Sequence, residues 1–127
     1  MKSAYTFGNA ATDGVRGWFV GQFVSASGGL RKRDDVELKW GVHPKGEARP
    51  GAWAKYKTAT TIAVLIEGQC LIQIRDSDHA DEHLLSTPGD YLIMAPGLEH
   101  TWEAVTDCTV LSIRTPSVPN DLVERKE

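Results

Sequence analysis

Little in this chain announces a metal centre, a disulfide scaffold or a nucleic-acid surface. It has two cysteines and four histidines in 127 residues. Cys70 and Cys108 both fall in apolar, strand-like stretches with no secretion signal ahead of them, and are expected to be buried thiols rather than a disulfide. No charge of one sign dominates: 14 Lys and Arg against 17 Asp and Glu leave a net charge of −3 and no basic footprint for nucleic acid. The local run Arg31-Lys32-Arg33 is followed at once by Asp34-Asp35 and reads as a solvated loop. No apolar run approaches the ~20 residues of a membrane span. Residues 1–9 show no apolar h-region, so a cytoplasmic protein is expected. Amphipathic helical periodicity and internal repeats are also missing, and the length suits one domain.

What is present is a succession of short strands, spaced roughly ten residues apart by Gly and Pro turns. Residues 18–24 form the first. Val36, Leu38, Trp40 and Val42 then alternate with Glu37, Lys39, Gly41 and His43, the period-two pattern of a half-buried strand. Simple alternation puts His43 on the face opposite these apolar positions, unless a bulge at Gly41 or the turn at Pro44 redirects it. Residues 58–67 are dense in threonine and β-branched residues, a strand by composition. Gly68 turns the chain into residues 70–75, and a polar connection follows over 76–83. Residues 101–105 and 109–114 are expected to pair across a turn at Asp107. Pro116 and Pro119 end the sheet, leaving a charged tail that could hold one helical turn. The pattern points to an all-β sandwich or barrel.

The richest segment is Gly89-Asp90-Tyr91-Leu92-Ile93-Met94-Ala95-Pro96-Gly97-Leu98-Glu99-His100. Two glycine-containing turns bracket a short strand, because glycine reaches backbone angles closed to other residues. The second turn aims His100 at whatever lies inside. With Gly89, Asp90, Gly97 and His100 in register, the segment resembles the second motif of the cupin superfamily, G-D-x4-P-x-G-x2-H. Pro96 falls one place later than that pattern has it. Upstream, Ile62-Ala63-Val64-Leu65-Ile66-Glu67-Gly68 resembles the strand and turn that close the first cupin motif. The resemblance covers roughly residues 36–116 and implies a cupin-type double-stranded β-helix, a jelly-roll barrel. Residues 1–16 are then a peripheral segment, 36–116 the barrel core and 117–127 a C-terminal tail, and a homodimer is implied by analogy.

The chain departs from the family at the first motif, H-x-H-x3–4-E-x6-G, which supplies three of the four usual metal ligands. Counting back from Gly68 puts Thr61 at the glutamate position. Lys55 and Lys57, or Ala54 and Tyr56, stand at the histidine positions. None competes with water for a divalent ion as imidazole and carboxylate do. No cofactor is therefore expected. If a metal (Fe, Ni, Mn or Zn) is bound, His100 and His43 are its candidate ligands, with Cys70 or Glu103.

Candidate pocket residues follow from the same frame. His100 is the candidate general acid/base, since imidazole titrates nearest neutral pH. Tyr56, Thr58 and Thr61 offer hydroxyls. Trp102 is one of four tryptophans, more indole than packing needs, and a candidate pocket wall. Arg114 alternates with Val110 and Ser112, so it is expected to face inward and to need an acidic partner: Glu67, Glu103 or an anionic ligand. Cys70 is expected to point inward with Ile72 and Ile74. His79 and His83 lie in an acidic segment and read as a solvated hairpin loop. Three functions fit. The first is a cupin that binds a small polar or anionic molecule, with isomerase- or epimerase-type proton transfer at His100 if it is an enzyme. The second is a metal-dependent cupin with an altered ligand set, running dioxygenase or lyase chemistry. The third is a non-catalytic interaction module.

Overall fold

The β-branched and apolar runs become ten strands in a computed structural model that describes residues 4–49 and 51–126. They are β1 (Trp18–Val20), β2 (Glu37–His43), β3 (Ala52–Tyr56), β4 (Thr60–Glu67), β5 (Cys70–Arg75), β6 (Ala80–Leu85), β7 (Tyr91–Met94), β8 (Glu99–Ala104), β9 (Cys108–Thr115) and β10 (Leu122–Lys126). A single helical turn, α1 (Ala10–Asp13), precedes them, with Asn9 capping it through a bond from the Ala11 N–H. The strands build two five-stranded antiparallel sheets, β1-β2-β9-β4-β7 and β10-β3-β8-β5-β6. Two such sheets of interleaved order, face to face, make the double-stranded β-helix that the sequence leads one to expect.

Several local pairings differ from the expectation. β8 and β9 do not form a hairpin: β8 pairs with β5 and β3, while β9 pairs with β2 and β4. The turn at Asp107 instead carries the chain from one sheet to the other, as does Gly68 between β4 and β5. Crossing between sheets at each corner buries the inner side of both strands, which a local hairpin leaves half open. β1–β2 and β5–β6 are the consecutive pairs that stay in one sheet, and residues 80–83, expected within a polar connection, belong to the edge strand β6. Residues 122–126 form β10 on β3 rather than a helical turn.

β2 supplies the main correction. Its register with β9 is unbroken from Glu37↔Arg114 to His43↔Cys108, so there is no bulge. The polar positions Glu37, Lys39 and His43 nevertheless share the side of Val110, Ser112 and Arg114, facing the barrel. Glu37 is 8% exposed, whereas Val42, on the apolar side of the alternation, is 66% exposed. Apolar alternation identified the strand but misassigned its inner face, because this strand lines a pocket rather than the core.

The core itself fills one end of the barrel. Leu65 and Ala104 are almost completely buried, packed with Cys70, Ile72, Leu85, Met94 and Val110. Cys70 and Cys108 are free, buried thiols in mutual contact, and burial pushes Cys70 up to about 12. Neither is a nucleophile near neutral pH.

The turn before β7 holds its shape through Asp90, whose carboxylate accepts from the Ser86 and Thr87 N–H groups at 3.0 Å each. Those bonds hold its pKa below the usual carboxylate value. Gly97 has φ +85° and its N–H donates to the Tyr56 carbonyl at 2.8 Å. The turn that delivers His100 is therefore tied to the strand that delivers Tyr56.

Candidate functional site

Directly against the core, whose Ala63, Cys70, Ile72, Met94 and Val110 form part of its wall, the space between the sheets opens into a cavity of about 110 Å³. An apolar cavity of ~150 Å³ accepts benzene, so this one suits a molecule of roughly four to six non-hydrogen atoms. β8 brings in His100 and Trp102, β3 brings Ala54 and Tyr56, β4 brings Thr61, and β9 brings Ser112 and Arg114. His100 lies opposite Ala54 in the β3–β8 pair, and its ring stacks at 6.0 Å and 24° on Tyr56. Of the sequence-predicted residues, His100, Tyr56, Thr61, Trp102, Arg114 and His43 line this cavity. Thr58 does not. It sits at the exposed corner between β3 and β4, where its N–H donates to Asp121 at 2.9 Å. The carboxylate fixes that corner, so alternation from Tyr56 fails two residues on.

Arg114 is clamped from several sides. Its guanidinium lies 4.0 Å from the Tyr56 ring centroid and 4.3 Å from that of Trp18. It pairs at 3.4 Å with Glu37, whose other oxygen accepts from Ser117 Oγ at 3.2 Å. The expected partners are elsewhere: Glu67 accepts from Thr109, and Glu103 lies on the outward side of β8. Burial lowers the Arg114 pKa, opposed by Tyr56 and Glu37.

Three features of the site escape single-strand reasoning. Lys39 reaches the cavity from β2, and Arg49 reaches it from the loop before β3. Burial lowers the Lys39 pKa, and Arg114 and Arg49 lower it further by repulsion. Against these three cations the lining has one carboxylate, Glu124 of β10, which already pairs with Arg49 at 3.4 Å. The third feature is the setting of His43. Its Nδ1 is 2.7 Å from Glu47 Oε1 and its ring packs at 4.4 Å on Trp102. A side chain at Gly41 would place its Cβ 2.8 Å from His43 Nε2, so the glycine leaves room for the imidazole. The 44–47 turn is held to β8 by Gly46 N–H to Ala104 O and Ala104 N–H to Glu47 O, at 2.8 and 2.9 Å. The only sequence signal for this was the spacing Gly41-x-His43-x3-Glu47.

His100 is set differently from His43. Its Nδ1 is buried with no hydrogen-bond partner among the described residues. Burial lowers its pKa, the Leu98 backbone pulls the other way, and Arg114 and Arg49 add repulsion. Burial also raises the Tyr56 pKa, so the phenol keeps its proton. The pocket thus holds a neutral imidazole and a protonated phenol beside fixed cations.

The residues at the usual cupin ligand places do not fit a resident divalent ion. Of the two possible registers the structure selects Ala54 and Tyr56 as the inward pair, with Lys55 turned outward. The donors beside His100 are then a phenol and the Thr61 hydroxyl, next to a guanidinium that repels a cation. Among the described residues no group of three or more His, Cys, Asp or Glu is placed to hold a metal. Glu103 faces away from the cavity, and Cys70 holds its proton.

No family model matches the chain, and no curated protein matches it in sequence. Solved structures do. KdgF from Halomonas sp. superimposes with a TM-score of 0.56 at 18% identity, over 65% of this chain and 71% of that one. Oxalate decarboxylase from Bacillus subtilis gives 0.60 at 16% identity, over 74% of this chain and 25% of that one. Recombinant oxalate oxidase in complex with glycolate gives 0.60 at 19% identity, over 70% and 45%. The chain therefore spans a quarter of the decarboxylase and under half of the oxidase. These likenesses define the fold: the chain is a cupin-type jelly-roll domain. No described helix is long and apolar enough to cross a membrane.

Proposed function

We propose that this domain binds a small anionic molecule, a carboxylate of a few carbons, in the barrel cavity, and that His100 moves a proton on it without a resident metal. The carrying observation is the imbalance of charge in the pocket wall. Lys39, Arg49 and Arg114 converge on about 110 Å³; Glu124 pairs with Arg49 and Glu37 with Arg114, which leaves the Lys39 ammonium as the cation in excess. Like charges held together in a part-desolvated pocket repel, and an anion relieves that repulsion. Two of the structural neighbours carry oxalate in their names and one was solved with glycolate, both small carboxylates. Those names say nothing direct about this chain, but they agree with the chemistry of its wall.

A carboxylate held by Arg114 and Lys39 places its α-carbon among His100, Tyr56 and His43. His100, kept neutral, can accept a proton, and Tyr56 or the Glu47-oriented His43 can supply one on another side. Isomerisation or epimerisation next to a carboxylate fits that equipment. The direct test is calorimetry against a panel of carboxylates of roughly four to six non-hydrogen atoms, from acetate and glycolate to lactate and oxalate. Submillimolar binding that weakens as ionic strength rises supports the reading, and no binding across the panel overturns it.

Placing His43 and His100 on one cavity also gives the metal-dependent reading its one support. Elemental analysis of untagged protein separates the two. We expect substoichiometric Fe, Ni, Mn and Zn. Stoichiometric metal that disappears in His100→Ala would replace the metal-free reading.

The His100 setting predicts a pH effect with a definite sign. Its folded-state pKa lies below the unfolded value, so the unfolded chain binds more protons between the two. Stability is then lost as pH falls below the ordinary imidazole value of ~6.5. His100→Gln is expected to flatten part of that slope in urea titrations at pH 7.5 and 5.5. An anion reverses the balance, so binding near pH 6 takes up protons, which calorimetry in buffers of different ionisation enthalpy reads directly. The free, buried Cys70 and Cys108 agree with a reducing, cytoplasmic setting. The homodimer suggested by the resemblance is proposed on an outer sheet face, away from the pocket.

A further inference from the structure

Tyr56 and Arg114, which line the barrel cavity, also line a second and larger opening, an outer cleft of about 790 Å³. Its walls come from the N-terminal segment and from the chain that follows β9. Trp18, Phe23 and Val24 belong to the first, and Val118, Pro119 and Leu122 to the second. The Trp18 and Phe23 rings meet edge to face at 5.9 Å. Phe23 and Leu122 are 44% and 42% exposed, so apolar surface stands open to the cleft. Apolar and aromatic walls with a few polar groups are the usual make-up of a small-molecule site. The charged groups of the cleft are engaged, with one exception. Glu37 holds Arg114 and the Ser117 hydroxyl. Asp121 accepts from the Thr58 and Ala59 N–H groups at 2.9 Å each, and Asp13 from the Asn9 N–H at 2.8 Å. Arg31 donates to the Asp13 and Phe19 carbonyls. Arg16 makes no hydrogen bond or ion pair among the described residues.

The backbone at Arg16 is strained as well. Arg16 and Gly17 are the two loop residues of a tight hairpin, closed by reciprocal Val15–Trp18 bonds of 3.1 and 3.0 Å. Their φ angles are +53° and +91°. A turn with positive φ at both central positions favours Asn and Gly, and an arginine there is held against its preference. Strain of this kind collects at functional sites. We propose that the outer cleft is a second binding site, for an aryl carboxylate of one or two rings. The ring lies among Trp18, Phe23, Val118 and Leu122, and the carboxylate meets Arg16. Charge complementarity selects the anion, because the cleft's carboxylates already have donors and Arg16 lacks an acceptor. The apolar walls select a ring over a short-chain acid. Size keeps the two sites separate: an apolar cavity of ~150 Å³ is what accepts benzene, and the barrel cavity has about 110 Å³.

Calorimetry with naphthylacetate and with its uncharged amide tests the proposal independently of the barrel cavity, which neither molecule enters. The acid is expected to bind with a submillimolar Kd, and the amide about fivefold more weakly, the scale of an exposed ion pair. Arg16→Asn suits the positive φ, so it should melt at or above the wild type. It should nevertheless bind the acid about three- to fivefold more weakly. A residue that served only the turn would leave that affinity untouched. Leu122→Asp sets a like charge against the ligand and should cost about tenfold or more in affinity. Leu122 is 42% exposed, so the circular dichroism of this variant should match the wild type. No binding at millimolar acid, or equal binding of acid and amide, overturns the proposal. An affinity that either variant leaves unchanged overturns it too.

Discussion

Arg114→Met is expected to weaken carboxylate binding by about ten- to hundredfold, the ~1.5–3 kcal/mol of a hydrogen bond to a charged group. Calorimetry with the best ligand of the panel reads the change. Arg114 is the cation that the fold holds most tightly, between the Tyr56 and Trp18 rings and against Glu37. Arg114→Lys keeps the charge but loses the planar fork that stacks on both rings and meets a carboxylate bidentately. It should recover only part of the affinity and should bind more salt-sensitively. The same substitution has a structural side. Glu37 is 8% exposed, and without the guanidinium it keeps the Ser117 hydroxyl as a side-chain partner. Breaking a buried pair on one side costs about 3–5 kcal/mol, so Arg114→Met should melt well below the wild type. Glu37→Gln combined with Arg114→Met should recover stability without recovering binding. Recovery of both would mean that Arg114 acts on the ligand only by holding the fold.

Gly68→Ala is expected to be the most destabilising single-methyl change in the chain. Its φ is +81°, and an added Cβ would stand 2.1 Å from the Asp107 carbonyl oxygen and 2.7 Å from the Cys108 Cα. Both neighbours are backbone of the β8–β9 corner, so neither can swing aside. Overpacking costs typically ~1–3 kcal/mol and a left-handed residue adds roughly 1–2 kcal/mol, which together threaten a domain of marginal stability. Gly89→Ala and Gly97→Ala carry the same backbone strain at φ +97° and +85° with nothing within 4 Å. They should lose only ~1 kcal/mol each. Urea titration of the three variants checks the ordering. A Gly68→Ala protein as stable as Gly89→Ala would show that the close approach at the corner is relaxed in solution.

The motif around His100 was legible because its information is local. Glycines at 89 and 97 impose the turns, Asp90 caps the first, and the short strand between fixes where His100 emerges. The inward setting of Cys70 and Arg114 followed from alternation along single strands, which the unbroken β5–β8 and β2–β9 ladders preserve. Alternation failed where a strand ended or where its polar side faced inward. Thr58 left the expected line because Asp121, 63 residues away, takes its N–H. His43 was placed on the wrong side because β2 reverses the usual rule, with polar residues toward the cavity and apolar ones on a face without charges.

The sequence by itself determined the all-β class, the turn positions and that neither register of the first motif carries the usual histidines, with Thr61 in place of the glutamate. Each depends on the identity or spacing of neighbouring residues. Tertiary structure alone decided which strands share a sheet, and with that the pocket's charge. Lys39, Arg49, Arg114 and Glu124 come from four separate segments, and only the folding of two sheets onto one another brings their fields to a single point.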